Sequence, residues 1–220
     1  MSEGKTHIYF VPGMAAGAEI FRNISLPEDQ FVIHIIQWLL PEKNESIKDY
    51  AKRMAAIITE PNCVLVGVSF GGVVVQEMSA YLELKKLIII SSVKTKHELP
   101  RRMRFARKTF FYKIIPTSLV LSAEDLTKFA IGPRTEKRLK IYQEYLHVRD
   151  KGYLDWAIKN MVCWKRSTAV PNIFHLHGNK DVVFPLKYIR NCEVIEGGTH
   201  IMILNKGREL SDKIIEIVQK

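Results

Sequence analysis

Cysteine is scarce in this chain: Cys63, Cys163 and Cys192 are an odd number at scattered positions, with no C-x-x-C pair. Neither a disulfide framework nor a zinc knuckle is suggested, and the three thiols read as buried small hydrophobes. Long apolar runs are also missing. Stretches such as Leu87-Ile88-Ile89-Ile90 fall far short of the roughly 20 residues that a membrane-spanning helix needs. Residues 1–10 show no basic segment followed by an apolar one, so no secretory signal is visible and a cytoplasmic location is expected.

What is present is ordinary for a globular chain: 220 residues, 47% hydrophobic and 25% charged. That length suits one domain, or one domain carrying a sizeable insertion. Acidic residues are outnumbered, 23 against 33 Lys and Arg, a net charge of +10, and the deficit is local. Residues 94–166 hold eighteen basic and seven acidic residues, an excess of eleven, which leaves the remainder at −1. A near-neutral body with a strongly basic middle implies a boundary there.

The hydrophobic pattern changes at the same places. Before residue 94, apolar β-type runs at 7–11, 31–38, 64–68 and 87–90 alternate with helical stretches at 47–58 and 70–84, the rhythm of a parallel sheet with crossover helices. The rhythm stops at Ser91-Ser92 and resumes with strands at 173–177 and 192–195, a helix-like stretch near Leu186 and a closing helix over 204–218. Between them the periods are helical only, for example 136–148 and a capped start at 122–125. The expected division is an α/β core of residues 1–93 and 167–220 with a doubly wound, mostly parallel sheet, interrupted by a basic, all-helical insertion of residues 94–166.

Chemistry is concentrated in three loops. The run Val64-Leu65-Val66-Gly67-Val68-Ser69-Phe70-Gly71-Gly72 is a strand followed at once by G-x-S-x-G and a helix, the context that motif requires. It places Ser69 on a tight turn, lets strand and helix approach through Gly67 and Gly71, and sets the Phe70 amide at a helix N-terminus, ready to donate to an oxyanion. Asp181 follows the strand at 173–177, and His200 follows the strand at 192–195. All three loops leave the C-terminal ends of strands, where catalytic groups of parallel sheets collect. A hydroxyl becomes nucleophilic when an imidazole takes its proton, and the imidazole needs a carboxylate to fix its tautomer. His200 alone among the seven histidines follows the last strand; His34, His175 and His177 fall on strands, and His97 and His147 in the insertion.

With Gly67-Val68-Ser69-Phe70-Gly71, His177-Gly178-Asn179-Lys180-Asp181 and Gly197-Gly198-Thr199-His200 in this order, the chain resembles an α/β-hydrolase-fold serine hydrolase in trimmed form, without the family's first hairpin strands. The resemblance implies that Ser69 is the nucleophile, Asp181 the triad acid and His200 the general base. It also implies that the Met14 amide joins that of Phe70 in the oxyanion hole, in a loop that opens Pro12-Gly13 where many members have His-Gly. It implies a helical cap and no metal or organic cofactor. The function expected is cleavage of a carboxylic ester through an acyl-enzyme. An acyl-thioesterase or acyltransferase with the same triad, and a hydrolase-like ligand-binding protein with little turnover, stay open beside it.

Other residues carry two readings. Trp38 reaches the pocket mouth or covers the sheet; Phe110, Trp156 and Trp164, with Phe111, Tyr153 and Met161, line an acyl pocket or form the insertion's own docking face. His175 and His177 share a strand face, but no third ligand at metal spacing accompanies them. The basic run 101–108 is a solvated face, or it recruits an anionic acyl substrate, an acidic carrier or a membrane surface. Nucleic acid is not expected, since no recognition motif accompanies the charge.

Overall fold

Residues 4–110 and 150–220 are described by the structure, a computed structural model. Six strands, β1 (Thr6–Val11), β2 (Phe31–Ile35), β3 (Cys63–Val68), β4 (Leu84–Ile90), β5 (Ile173–Gly178) and β6 (Glu193–Ile195), form one sheet in the order β2-β1-β3-β4-β5-β6. Every pairing is parallel. The central strand β3 is buried at all six positions, because helices cover both faces of the sheet, and its sequence CVLVGV is accordingly apolar without alternation.

The two-residue period of the strands divides the core. Tyr9, Val11, Leu65, Leu87 and Ile89 pack with α1 (Ile47–Ala55) and α2 (Phe70–Met78) on one face. Ile8, Phe10, Val64, Val66, Ile88 and Ile90 pack on the other face, against the 3-10 turn Ala18–Phe21 and the C-terminal helix (Gly207–Gln219). Helix α1 begins at Ser46, whose hydroxyl accepts from the Asp49 amide at 3.2 Å.

The basic middle segment contributes α3 (Arg101–Lys108) and α4 (Lys151–Val162), the latter capped by Asp150 on the Tyr153 amide at 2.7 Å. Its two ends meet where the Lys96 amide donates to the Arg166 carbonyl at 2.8 Å. The helical stretches expected at 122–125 and 136–148, and Phe111, lie outside the described residues.

Several boundaries differ from the sequence expectation. Strand β2 ends at Ile35 rather than at residue 38, because its one neighbour among the described residues is β1, whose ladder stops at Phe10 opposite Ile35. The helix expected over 70–84 ends at Met78 and passes through a 3-10 turn (Ser79–Tyr81), since Leu84 is already paired with Cys63 in the sheet. The closing helix is two, α5 (Met202–Asn205) and α6 (Gly207–Gln219), broken at Lys206. The stretch near Leu186 is a single 3-10 turn, Leu186–Tyr188. Among the described residues no helix is long and apolar enough to cross a membrane.

Strand order reverses at β1, whose neighbours are β2 on one side and β3 on the other. The crevice beyond the carboxyl ends of β1 and β3 is where such sheets bind ligands. The Met14 loop and Ser69 both open onto it.

Candidate active site

Ser69 links β3 to α2 with φ 54° and ψ −117°, a conformation that L residues avoid and that costs on the order of 1–3 kcal/mol. The surroundings hold it there. The Ser69 amide donates to the Ile90 carbonyl at 2.9 Å, while the Ser69 carbonyl accepts from the Ser92 hydroxyl at 2.7 Å and the Gly72 amide at 3.0 Å. The turn also needs close backbone approach: a Cβ on Gly71 would lie 2.2 Å from the Pro12 carbonyl oxygen, and one on Gly67 would lie 2.5 Å from that of Gly71. Helix α2 therefore presses directly on the chain leaving β1.

Ser69 Oγ lies 2.9 Å from His200 Nε2, and His200 Nδ1 lies 2.9 Å from Asp181 Oδ2. A carboxylate can only accept, so Nδ1 carries the proton and Nε2 is left to accept from the serine hydroxyl. Asp181 is buried, and its Oδ1 accepts from the amides of Val183 and Phe184, each at 2.8 Å. Burial opposes ionisation of this carboxyl, but the facing His200, with help from the Phe184 amide and His177, outweighs it and holds the group below its ordinary value. The loops bearing acid and base are locked together: the Lys180 amide donates to the Gly198 carbonyl at 2.8 Å, and a Cβ on Gly178 would lie 2.1 Å from that oxygen.

Behind the acid sit two buried histidines. His177 Nε2 is 2.8 Å from the Phe184 carbonyl, which can only accept, so that nitrogen carries the proton, and His177 Nδ1 accepts from His175 Nε2 at 3.1 Å. Burial pushes both imidazoles below their ordinary values, His175 further than His177, so both are neutral at pH 7. The pair thus braces the acid loop. Among the described residues no group of three His, Cys, Asp or Glu is placed to hold a metal ion.

Phe70 is the first residue of α2, so no helical carbonyl lies four residues before its amide. The Met14 loop passes close, with a hypothetical Cβ of Gly13 3.6 Å from Ser69 Cβ. In that loop the Ala16 amide and the Trp38 indole N–H donate to the Gly13 carbonyl at 3.1 and 3.0 Å, and Ala15 takes a left-handed φ of 63°. Trp38 therefore holds the loop, and it also packs on Phe70 and Tyr153, with ring centroids 5.6 Å apart in both cases.

The other aromatic candidates divide. Trp156 is buried, donates to the Glu45 carbonyl at 2.8 Å and packs tilted against Tyr50 with centroids 4.3 Å apart, so it docks α4 on the body, in an edge-to-face contact with Phe70. Trp164 takes the docking-face reading. Its indole donates to Glu77 at 3.0 Å, a carboxylate it shares with Arg166, and it is buried against the side of α2 as an anchor of the insertion rather than a pocket wall. Phe110 is exposed at the limit of the described residues, with a φ of 56°.

Sequence reasoning missed Ser92 and Tyr50, and it named Tyr153 and Arg102 without the contacts they make. Arg102 donates to the carbonyls of Val182 and Val183 at 3.0 and 2.8 Å, which ties the basic helix α3 to the acid loop. Only the end of the strand rhythm at Ser91-Ser92 signalled the first of them.

No family model matches the sequence, and none of the curated proteins does. Solved structures do. An esterase from Exiguobacterium antarcticum superposes with a TM-score of 0.72 at 15% identity, over 99% of this chain and 93% of that one. A hydrolase from Oleispira antarctica gives 0.71 at 12% over 99% and 92%. A bromoperoxidase from Bacillus anthracis gives 0.69 at 17% over 98% and 92%. With its sheet order, its strained strand-to-helix turn and these neighbours, the chain has the α/β-hydrolase fold in a trimmed, six-stranded and wholly parallel form.

Proposed function

We propose that the chain is a serine hydrolase that cleaves a carboxylic ester through an acyl-enzyme. The observation that carries this reading is the unbroken line of contacts from Ser69 Oγ through His200 to Asp181, 2.9 Å at each step, on a serine held at φ 54°. The esterase and hydrolase among the similar folds support ester chemistry as the reaction class.

In this reading His200 Nε2 takes the proton of Ser69 as Oγ attacks the acyl carbon. The amides of Phe70 and Met14 hold the oxyanion, and each is worth about 100- to 1,000-fold in turnover. The carbon–oxygen bond to the leaving alkoxide breaks, and His200 returns the proton to it. Water then gives a proton to His200 and attacks the acyl-enzyme; the acid leaves and Ser69 recovers its hydroxyl. The segment that holds α3 and α4 supplies the cap in this reading, and Trp38, half-buried beside the Met14 loop, is the aromatic candidate to meet the acyl group.

Hydrolysis of p-nitrophenyl esters of graded chain length, beside the corresponding acyl thioesters, tests the reading. The wild type turns over esters with a preferred chain length, and Ser69→Ala loses the activity. Thioesters cleaved in preference to esters move the leaving group from oxygen to sulfur, and turnover that survives in Ser69→Ala contradicts the mechanism.

A further inference from the structure

Beyond the triad, the structure has a cleft of about 680 Å³ between the root of the insertion and the segment that follows the acid loop. Its walls include Lys94, His97, Glu98, Arg104, Lys187 and Arg190, drawn from the exit of β4, helix α3 and the approach to β6. None of the triad or oxyanion residues lines it.

The charges in this cleft do not cancel. Glu98 is its one acid, and it is committed to the backbone: its carboxylate oxygens accept from the amides of Lys94 at 2.6 Å and Arg190 at 3.2 Å. Burial raises its pKa, which weakens it further as a counter-charge. Lys94 is spent as well, since its ammonium donates to the carbonyls of Arg190 and Asn191. Arg104, Lys187 and Arg190 remain; the Lys187 ammonium lies 5.3 Å over the Tyr188 ring, and no acidic side chain among the described residues pairs with any of the three. Holding three such cations around one concavity costs self-repulsion that a bound anion relieves. Two guanidinium forks and an ammonium are donors suited to phosphate oxygens, and the Thr95 and Ser167 hydroxyls line the same space.

We propose that this cleft binds a soluble molecule through a phosphate or polyphosphate group, at a site separate from Ser69. A cavity of this size accepts a small molecule. The proposal does not depend on the hydrolase reading.

Calorimetric titration of the full chain with inorganic tripolyphosphate tests it. Saturable binding with one site per chain is expected, weakened by at least about tenfold in Arg104→Ala/Arg190→Ala and unchanged in Lys48→Ala/Lys52→Ala, exposed on α1 away from the cleft. Lys187→Glu, an exposed position, gives the same loss should the double variant fold poorly. No saturable binding, equal loss in both double variants, or binding only to vesicles containing phosphatidic acid overturns the proposal.

Discussion

The hydroxyl of Ser92, just past β4, donates to the carbonyl oxygen of Ser69 at 2.7 Å and occupies the space where a Cβ on Gly72 would fall, 2.4 Å from that hydroxyl. The strain at Ser69 is therefore held from the neighbouring strand as well as from its own helix. Ser92→Ala removes the side-chain donor to this carbonyl and leaves only backbone amides of α2, that of Gly72 among them. The expected cost is about 1 kcal/mol, or roughly 2–4 °C in Tm for a chain of this size. In ester hydrolysis kcat should fall while KM changes little, because the substitution loosens the nucleophile and not the pocket. Thermal unfolding and steady-state kinetics check both.

Arg102 belongs to a basic run in which the sequence offers no distinction among Arg101, Arg102, Arg104 and Arg107. The fold separates them. Arg102 alone in this group grips the carbonyls of Val182 and Val183, whose segment supplies the amides that hold Asp181. Arg102→Ala should lower kcat on a neutral ester at every salt concentration, by roughly tenfold, within the ~100-fold that an ångström of misplacement can cost. Arg101→Ala and Arg107→Ala should leave it unchanged. Kinetics at low and high salt decide, since an electrostatic recruitment role would fade with ionic strength.

Acid should destabilise the protein through the histidine pair behind the acid loop. His175 and His177 have folded-state pKa values below the ordinary 6.5, so under pH 6.5 the unfolded chain binds more protons than the folded one. Stability is then full above pH 6.5 and falls as pH drops toward the folded values, by up to about 1.4 kcal/mol per pH unit for each imidazole. Denaturant unfolding between pH 7.5 and 5 should show this slope, and His175→Gln/His177→Gln should flatten it.

Much of this was legible in the sequence, and for a physical reason. The strand-to-helix turn must have glycine where Gly71 meets the Pro12 carbonyl, and the order of Ser69, Asp181 and His200 follows from which strands end where. Both constraints are local. What escaped were contacts between distant segments: Ser92 on Ser69, Arg102 on the acid loop, Trp164 on Glu77 and the Tyr50–Trp156 ring pair. These depend on how the insertion docks, which no periodicity encodes. The same cause left Trp164 with two readings, since a docking face and a pocket wall have the same apolar composition.

The central claim is that Ser69 is an activated nucleophile. Treatment of the folded protein with a fluorophosphonate probe, followed by peptide mass mapping, tests it most directly. The account predicts one adduct per chain, on Ser69, slowed in His200→Ala and absent in Ser69→Ala. A folded wild-type protein that takes up no label, or carries it on another residue, would contradict it.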